Sequence, residues 1–140
     1  MNREEATKFL ALIKIAYPKA YRNMDNDSII ATINMWHNTF SDIPYPIMEM
    51  ALDHFRKISE FEPTVANIYK ELKNLHYAAL GDVLTSNEEG KVNIGRYIMK
   101  HTSRFKDENI GRFEINYNSL AKKIKNTDIQ LLEGGQADGD

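Results

Sequence analysis

The chain has 140 residues, 42% of them hydrophobic and 27% charged, with a net charge of −2 and no cysteine. These values fit one globular domain, or a smaller one with an appendage, and exclude wholesale disorder, disulfides and thiolate metal sites. No apolar run approaches the ~20 residues that span a bilayer, and Asn2-Arg3-Glu4-Glu5 places no basic flank before an apolar core, so neither membrane anchor nor secretory leader is expected.

Residues 3–16 read as a first helix. Phe9, Leu10, Leu12, Ile13 and Ala16 form one broad apolar face, and Glu4 and Glu5 sit in the first turn, where negative charge suits the helix dipole. Pro18 ends the helix by pushing Tyr17 out of the α region. Lys14, near that end, complements the negative terminus, a structural role favoured over contact with a partner. A second helix spans about 27–41, where Ile29, Ile33, Trp36 and Phe40 repeat with helical period and Asp25, Asn26 and Asp27 are candidate N-caps. Pro44-Tyr45-Pro46 is a rigid connection, and Pro46 suits the first position of a third helix running to about Ile58. Its inward residues are Ile47, Met48, Ala51, Leu52 and Phe55. Thr64 caps a fourth helix carrying Val65, Ile68, Leu72 and Leu75. The Trp36, Phe40 and Phe55 rings at this spacing read as core rather than as a docking face.

The pattern weakens after Tyr77. Gly81, Ser86-Asn87 and Gly90 suggest a break, and Val92 to Thr102 suggests a short helix through Ile94, Ile98 and His101, weakened by Gly95. Phe113, Ile115 and Tyr117 alternate with polar residues as in a strand, and Asn118 or Ser119 is placed to cap a helix through Leu120, Ala121 and Ile124. The expected fold is therefore mostly α. A bundle of about four helices fills 1–78, followed by a linker at 79–91, a basic α or α+β segment at 92–127 and an acidic, disordered tail at 128–140.

Charge is divided along the chain. Residues 1–90 hold 9 Lys/Arg and 13 Asp/Glu, residues 91–125 hold 9 and 3, and residues 126–140 hold none and 4. A basic stretch thus lies between two acidic ones. Arg104, Lys106, Arg112, Lys122, Lys123 and Lys125, with Arg96 and Lys100, alternate with Tyr97, Phe105, Phe113 and Tyr117. That mixture suits single-stranded nucleic acid, an acidic protein surface, or a solvated face over a small core. Ile129, Leu131 and Leu132 beside the acidic end form a candidate partner-binding peptide, or pack back onto the domain.

Catalytic and ligand-binding chemistry finds little footing. His37, His54, His76 and His101 lack metal-ligand spacing and read as surface or helix-face residues. Gly90 and Gly95 bracket four residues as in a phosphate loop, but Arg96-Tyr97 stands where Lys-Ser/Thr is required, leaving nothing to hold terminal phosphates or magnesium. No catalytic residue, metal site or cofactor is expected, and an enzyme is not predicted.

Several short pieces carry a family likeness: Glu5-Ala6, Lys14-Ile15-Ala16-Tyr17-Pro18, Trp36 with Phe40, Pro44-Tyr45, Ala51-Leu52 and Glu62-Pro63-Thr64-Val65-Ala66-Asn67-Ile68. In order and spacing, residues 4–72 resemble the replicative-helicase loader and inhibitor proteins of phages of Gram-positive bacteria. The resemblance implies a small all-α N-terminal domain in a non-enzymatic protein of the infected host's cytoplasm. Its partners would be the hexameric replicative helicase in its ATP-bound form and a replication initiator, with DNA as a further candidate and no membrane. Such proteins hold the helicase inactive in solution and deliver it to the initiator at the origin. Residues 91–125 depart from the family pattern, in which the C-terminal portion is poorly ordered. The alternatives are a single-stranded nucleic-acid-binding accessory protein and an inhibitor of the host helicase loader.

Overall fold

A computed structural model describes residues 1–106, and they are all-α. Five helices, α1 (Arg3–Ala16), α2 (Asn26–Phe40), α3 (Tyr45–Arg56), α4 (Val65–Thr85) and α5 (Glu89–Thr102), are followed by a 3₁₀ turn at Ser103–Phe105. The expected strand at 113–117, the helix after Ser119 and the acidic tail lie outside the described residues.

Local chemistry accounts for the helix starts. Asn2 and Glu5 form a reciprocal capping box, each satisfying a backbone N–H of the other at 2.8 Å. Asp25 is the cap of α2, accepting from the Ser28 N–H at 2.8 Å. Thr64 and Asn67 repeat the capping box at α4. α3 begins at Tyr45 with Pro46 in its first turn, where a missing N–H costs nothing. Past the end of α1, the Lys14 ammonium donates to the Pro18 and Ala20 carbonyls at 2.7 and 2.8 Å. It braces a loop in which Tyr21 and Asn23 adopt positive φ. Burial, reinforced by the Glu62 charge, pushes the Tyr21 phenol up to about 12 against the hydrogen bond it shares with Trp36.

One core joins all the elements. Phe9 meets Trp36 at a ring separation of 5.4 Å, Trp36 meets Phe40 at 5.7 Å, Phe40 meets Phe105 at 6.3 Å, and Tyr69 meets Phe105 edge-on at 4.5 Å. This run of rings crosses α1, α2, the 3₁₀ turn and α4. Ile47, Met48, Ala51, Leu52 and Phe55 are buried as expected, whereas Ile29 stays at the surface of α2 and Ile94 at that of α5.

The expected linker at 79–91 is largely helix. α4 continues unbroken through Gly81 to Thr85, only Ser86–Glu88 connect it to α5, and the two form the most extensive interhelical contact of the fold. A lone glycine costs a helix only ~1 kcal/mol, which packing offsets. Gly95, read from sequence as a weak point, is the point of close approach: a Cβ built on it would lie 3.0 Å from both the Ala79 carbonyl oxygen and Val83 Cγ2. Ile98 and Phe105, in the segment expected to stand apart, belong to the same core as Trp36.

Polar links stitch the helices where they are buried. His76 and Thr102 are both buried and bond at 3.0 Å. The Thr102 hydroxyl donates to the Ile98 carbonyl at 2.7 Å, so it accepts from His76, whose Nδ1 carries the hydrogen. Burial corrects the reading of His76 as a surface residue. Between α3 and α4, His54 Nδ1 lies 2.6 Å from the buried Glu71 carboxylate.

Candidate interaction surface

Packing uses one stripe of α1 and one of α3 and leaves a second apolar stripe on each. Leu12, Ile15 and Ala16 stand one turn apart on α1, while Pro46, Met50 and Leu52 face them from α3. Together they line an open groove of about 670 Å³. Ile15 is 75% exposed and Met50 41%, although both are large and apolar. Contiguous apolar exposure of this kind marks interaction surfaces more often than isolated exposed side chains do.

The groove has a charged rim. Glu49, Asp53 and Arg56 follow one another along α3. The Asp53 carboxylate accepts from Arg56 Nη2 at 2.9 Å and lies 3.2 Å from the Lys57 ammonium. The Arg56 hydrogen bond, followed by that of Lys57, holds the Asp53 carboxyl below its usual range. The rim therefore keeps its negative charge through the neutral range.

Beyond Arg56 the chain turns through a loop that presents Phe61, 78% exposed, and Ile58, 65% exposed, to solvent. This loop is locally tied. Ser59 Oγ accepts from the Phe61 N–H at 3.1 Å and donates to the Phe61 carbonyl at 3.0 Å, and the Tyr17 hydroxyl donates to the Ser59 carbonyl at 2.9 Å. The end of α1 thus anchors the backbone that carries Phe61. Glu60 and Glu62 flank the ring, giving an aromatic knob between two acids.

The basic residues singled out in the sequence fare differently. Arg104 is committed to the fold. Its guanidinium forks onto Asp42 at 2.8 and 3.0 Å, donates to the Thr39 carbonyl, and lies 4.2 Å from the centre of the Phe105 ring. Met1 contributes a second cation to the same end of α2, its ammonium donating to the Phe40, Ser41 and Ile43 carbonyls. Desolvation pushes the Asp42 carboxyl up, but the Arg104 hydrogen bond and charge outweigh it and hold the carboxyl below its ordinary value of 3.8. Lys106 is half-buried at the end of the 3₁₀ turn. Arg112, Lys122, Lys123, Lys125, Ile129, Leu131 and Leu132 lie outside the described residues.

Sequence reasoning passed over Ile15, Met50, Ile58 and Phe61. Ile15 stands about 200° around the helix from the buried Ile13, a displacement that 100° per residue already implies. Phe61 carried its own signal, an aromatic flanked by glutamates just ahead of a proline. Among the described residues, no three His, Asp or Glu side chains converge to hold a metal ion, and no helix is long and apolar enough to cross a membrane.

Residues 1–69, from α1 into the first turns of α4, match the family model of the N-terminal domain of a phage helicase-loader and inhibitor protein family. No curated protein and no solved structure matches the chain. The groove and the Phe61 loop both lie within the matched stretch. The remainder of α4, α5 and the 3₁₀ turn lie beyond it.

Proposed function

We infer from the match over residues 1–69 that this chain is a phage replication accessory protein whose partner is a replicative helicase. It acts by binding, without chemistry of its own, in the cytoplasm of the infected bacterium. It holds the ATP-bound hexamer inactive in solution and yields it to an initiator protein at the origin. The observation that carries this reading is that the matched stretch also bears the largest unsatisfied apolar surface described above. Ile15 and Met50 line its groove and Phe61 stands at its end.

Physically, a stable protein interface needs on the order of 800 Å² from each partner, with a few large side chains carrying most of the energy. Ile15, Met50 and Phe61 fit that role, because they are anchored on helices or a braced loop and lose little conformational freedom on docking. The acidic rim and Glu60 and Glu62 select for an apolar partner surface bordered by cations.

Light scattering on size-exclusion mixtures of the full chain with hexameric helicase and ATP tests this. A complex is expected at micromolar concentration, and Ile15→Glu or Phe61→Glu should weaken it by about 30-fold or more, the effect of losing a hot-spot side chain. Both positions are exposed, so thermal melting should not change. Absence of a complex would remove the helicase reading, and a complex indifferent to both variants would remove the groove. Capture of the host's helicase loader instead of the helicase would favour the alternative partner.

A further inference from the structure

A second surface lies outside the stretch matched to the family. α5 buries Gly95, Ile98 and Thr102 against α4, and the opposite side of the helix carries Arg96, Tyr97 and Lys100. Tyr97 is 43% exposed, and its ring meets the His101 ring edge-on at 4.9 Å. That contact props the phenol against the helix while part of its surface stays in solvent. Arg96 and Lys100 are exposed, with no ion-pair or hydrogen-bond partner among the described residues. Other cations do structural work: Arg104 and Lys14 bind carbonyls, Arg56 and Lys57 bind Asp53, and Lys91 lies 3.8 Å from Asp82.

Charge sharpens the contrast. From Lys91 to Lys106 there are five Lys/Arg and no Asp/Glu, on a chain whose residues 1–90 are net acidic. The positive potential is therefore local to this helix and its turn. Arg96 and Lys100 are one helical turn apart, about 6 Å along the axis, with Tyr97 beside them. A ring next to two unpaired cations on a rigid element suits a polyanion that also offers flat apolar faces. An acidic protein patch would satisfy the cations but supply nothing specific to the ring.

We propose that the outward face of α5 is a contact surface for single-stranded nucleic acid. Arg96 and Lys100 take phosphates, and Tyr97 stacks under a base. The site is distinct from the α1–α3 groove and does not depend on the helicase reading. Arg104, which the sequence placed in the same patch, is excluded because Asp42 and the Thr39 carbonyl already occupy it.

Fluorescence anisotropy of the full chain with a labelled oligothymidylate of about 20 nucleotides, longer than the ~4–16 that such sites cover, tests the proposal. Binding should weaken as salt rises. Arg96→Glu combined with Lys100→Glu should flatten the slope of log affinity against log salt by about 1.4, at ~0.7 per single-strand phosphate contact. Tyr97→Ala should weaken binding between about 5- and 150-fold, the range for one stacked base, whereas Tyr97→Phe should retain it. Far-UV circular dichroism verifies that each variant stays helical, and Ile15→Glu should bind the oligonucleotide like wild type. No binding at low salt and micromolar protein overturns the proposal. So does binding that survives all the α5 changes but is lost when Lys122, Lys123 and Lys125 become Gln. Loss of helicase capture by the α5 variants with oligonucleotide binding intact would assign the face to a protein and also overturn it.

Discussion

Gly81 and Gly95 permit one chemical change to be read with opposite signs. Both lie within helices of the α4–α5 hairpin, so alanine gains about 0.5–1 kcal/mol at either position by removing backbone freedom from the unfolded chain. At Gly81 nothing lies within 4 Å of the added methyl, and the gain should appear in full. At Gly95 the methyl would stand 3.0 Å from the Ala79 carbonyl oxygen and from Val83 Cγ2. The valine methyl can turn away, but the carbonyl belongs to helix backbone and yields only if α4 and α5 separate. Overpacking of this kind costs ~1–3 kcal/mol, so Gly95→Ala should be net destabilising by roughly 0.5–2 kcal/mol. Differential scanning calorimetry should show Tm rising by about 2–8 °C for Gly81→Ala and falling by a comparable or larger amount for Gly95→Ala. Equal upward shifts would mean that the helices do not approach closely at Gly95, and the hairpin as described would be wrong.

Two further changes probe how the end of the described chain is held. Phe105→Ala should destabilise by about 3–5 kcal/mol in urea unfolding, as much as Phe40→Ala, because both rings belong to one aromatic run. A loss below about 1 kcal/mol would detach the 3₁₀ turn from the core. Asp42→Asn should lower Tm at pH 7, with the deficit shrinking as pH falls. The folded-state pKa of Asp42 is held below 3.8, so its contribution is complete above that value and disappears as pH drops through the folded value. Melting from pH 7 to 2.5 measures it, and an offset constant over that range would show that the Arg104 pairing contributes nothing.

The helix count over residues 1–78 and most of the core were legible because they rest on local rules. Ile33, Trp36 and Phe40 recur with helical period, Asp25 and Thr64 are side chains that satisfy open N–H groups, and Pro18 and Pro46 restrict φ wherever they stand. Each of these effects acts within a few residues. The partner class was legible too, through a pattern spread over residues 4–72 that the family match over 1–69 overlaps. The α4–α5 hairpin was not. Glycine in a helix is locally unfavourable, and only the approach of a second helix makes Gly95 useful and offsets Gly81. The fate of individual charges was equally hidden. Arg104 and Arg96 are the same residue type in one basic run, yet Arg104 closes onto Asp42, some sixty positions earlier, while Arg96 faces solvent. Sequence determined which segments coil and which stripes are apolar, because those depend on neighbours in the chain. Only tertiary structure decided which apolar stripes are covered and which cations are spent, because burial and pairing depend on neighbours in space.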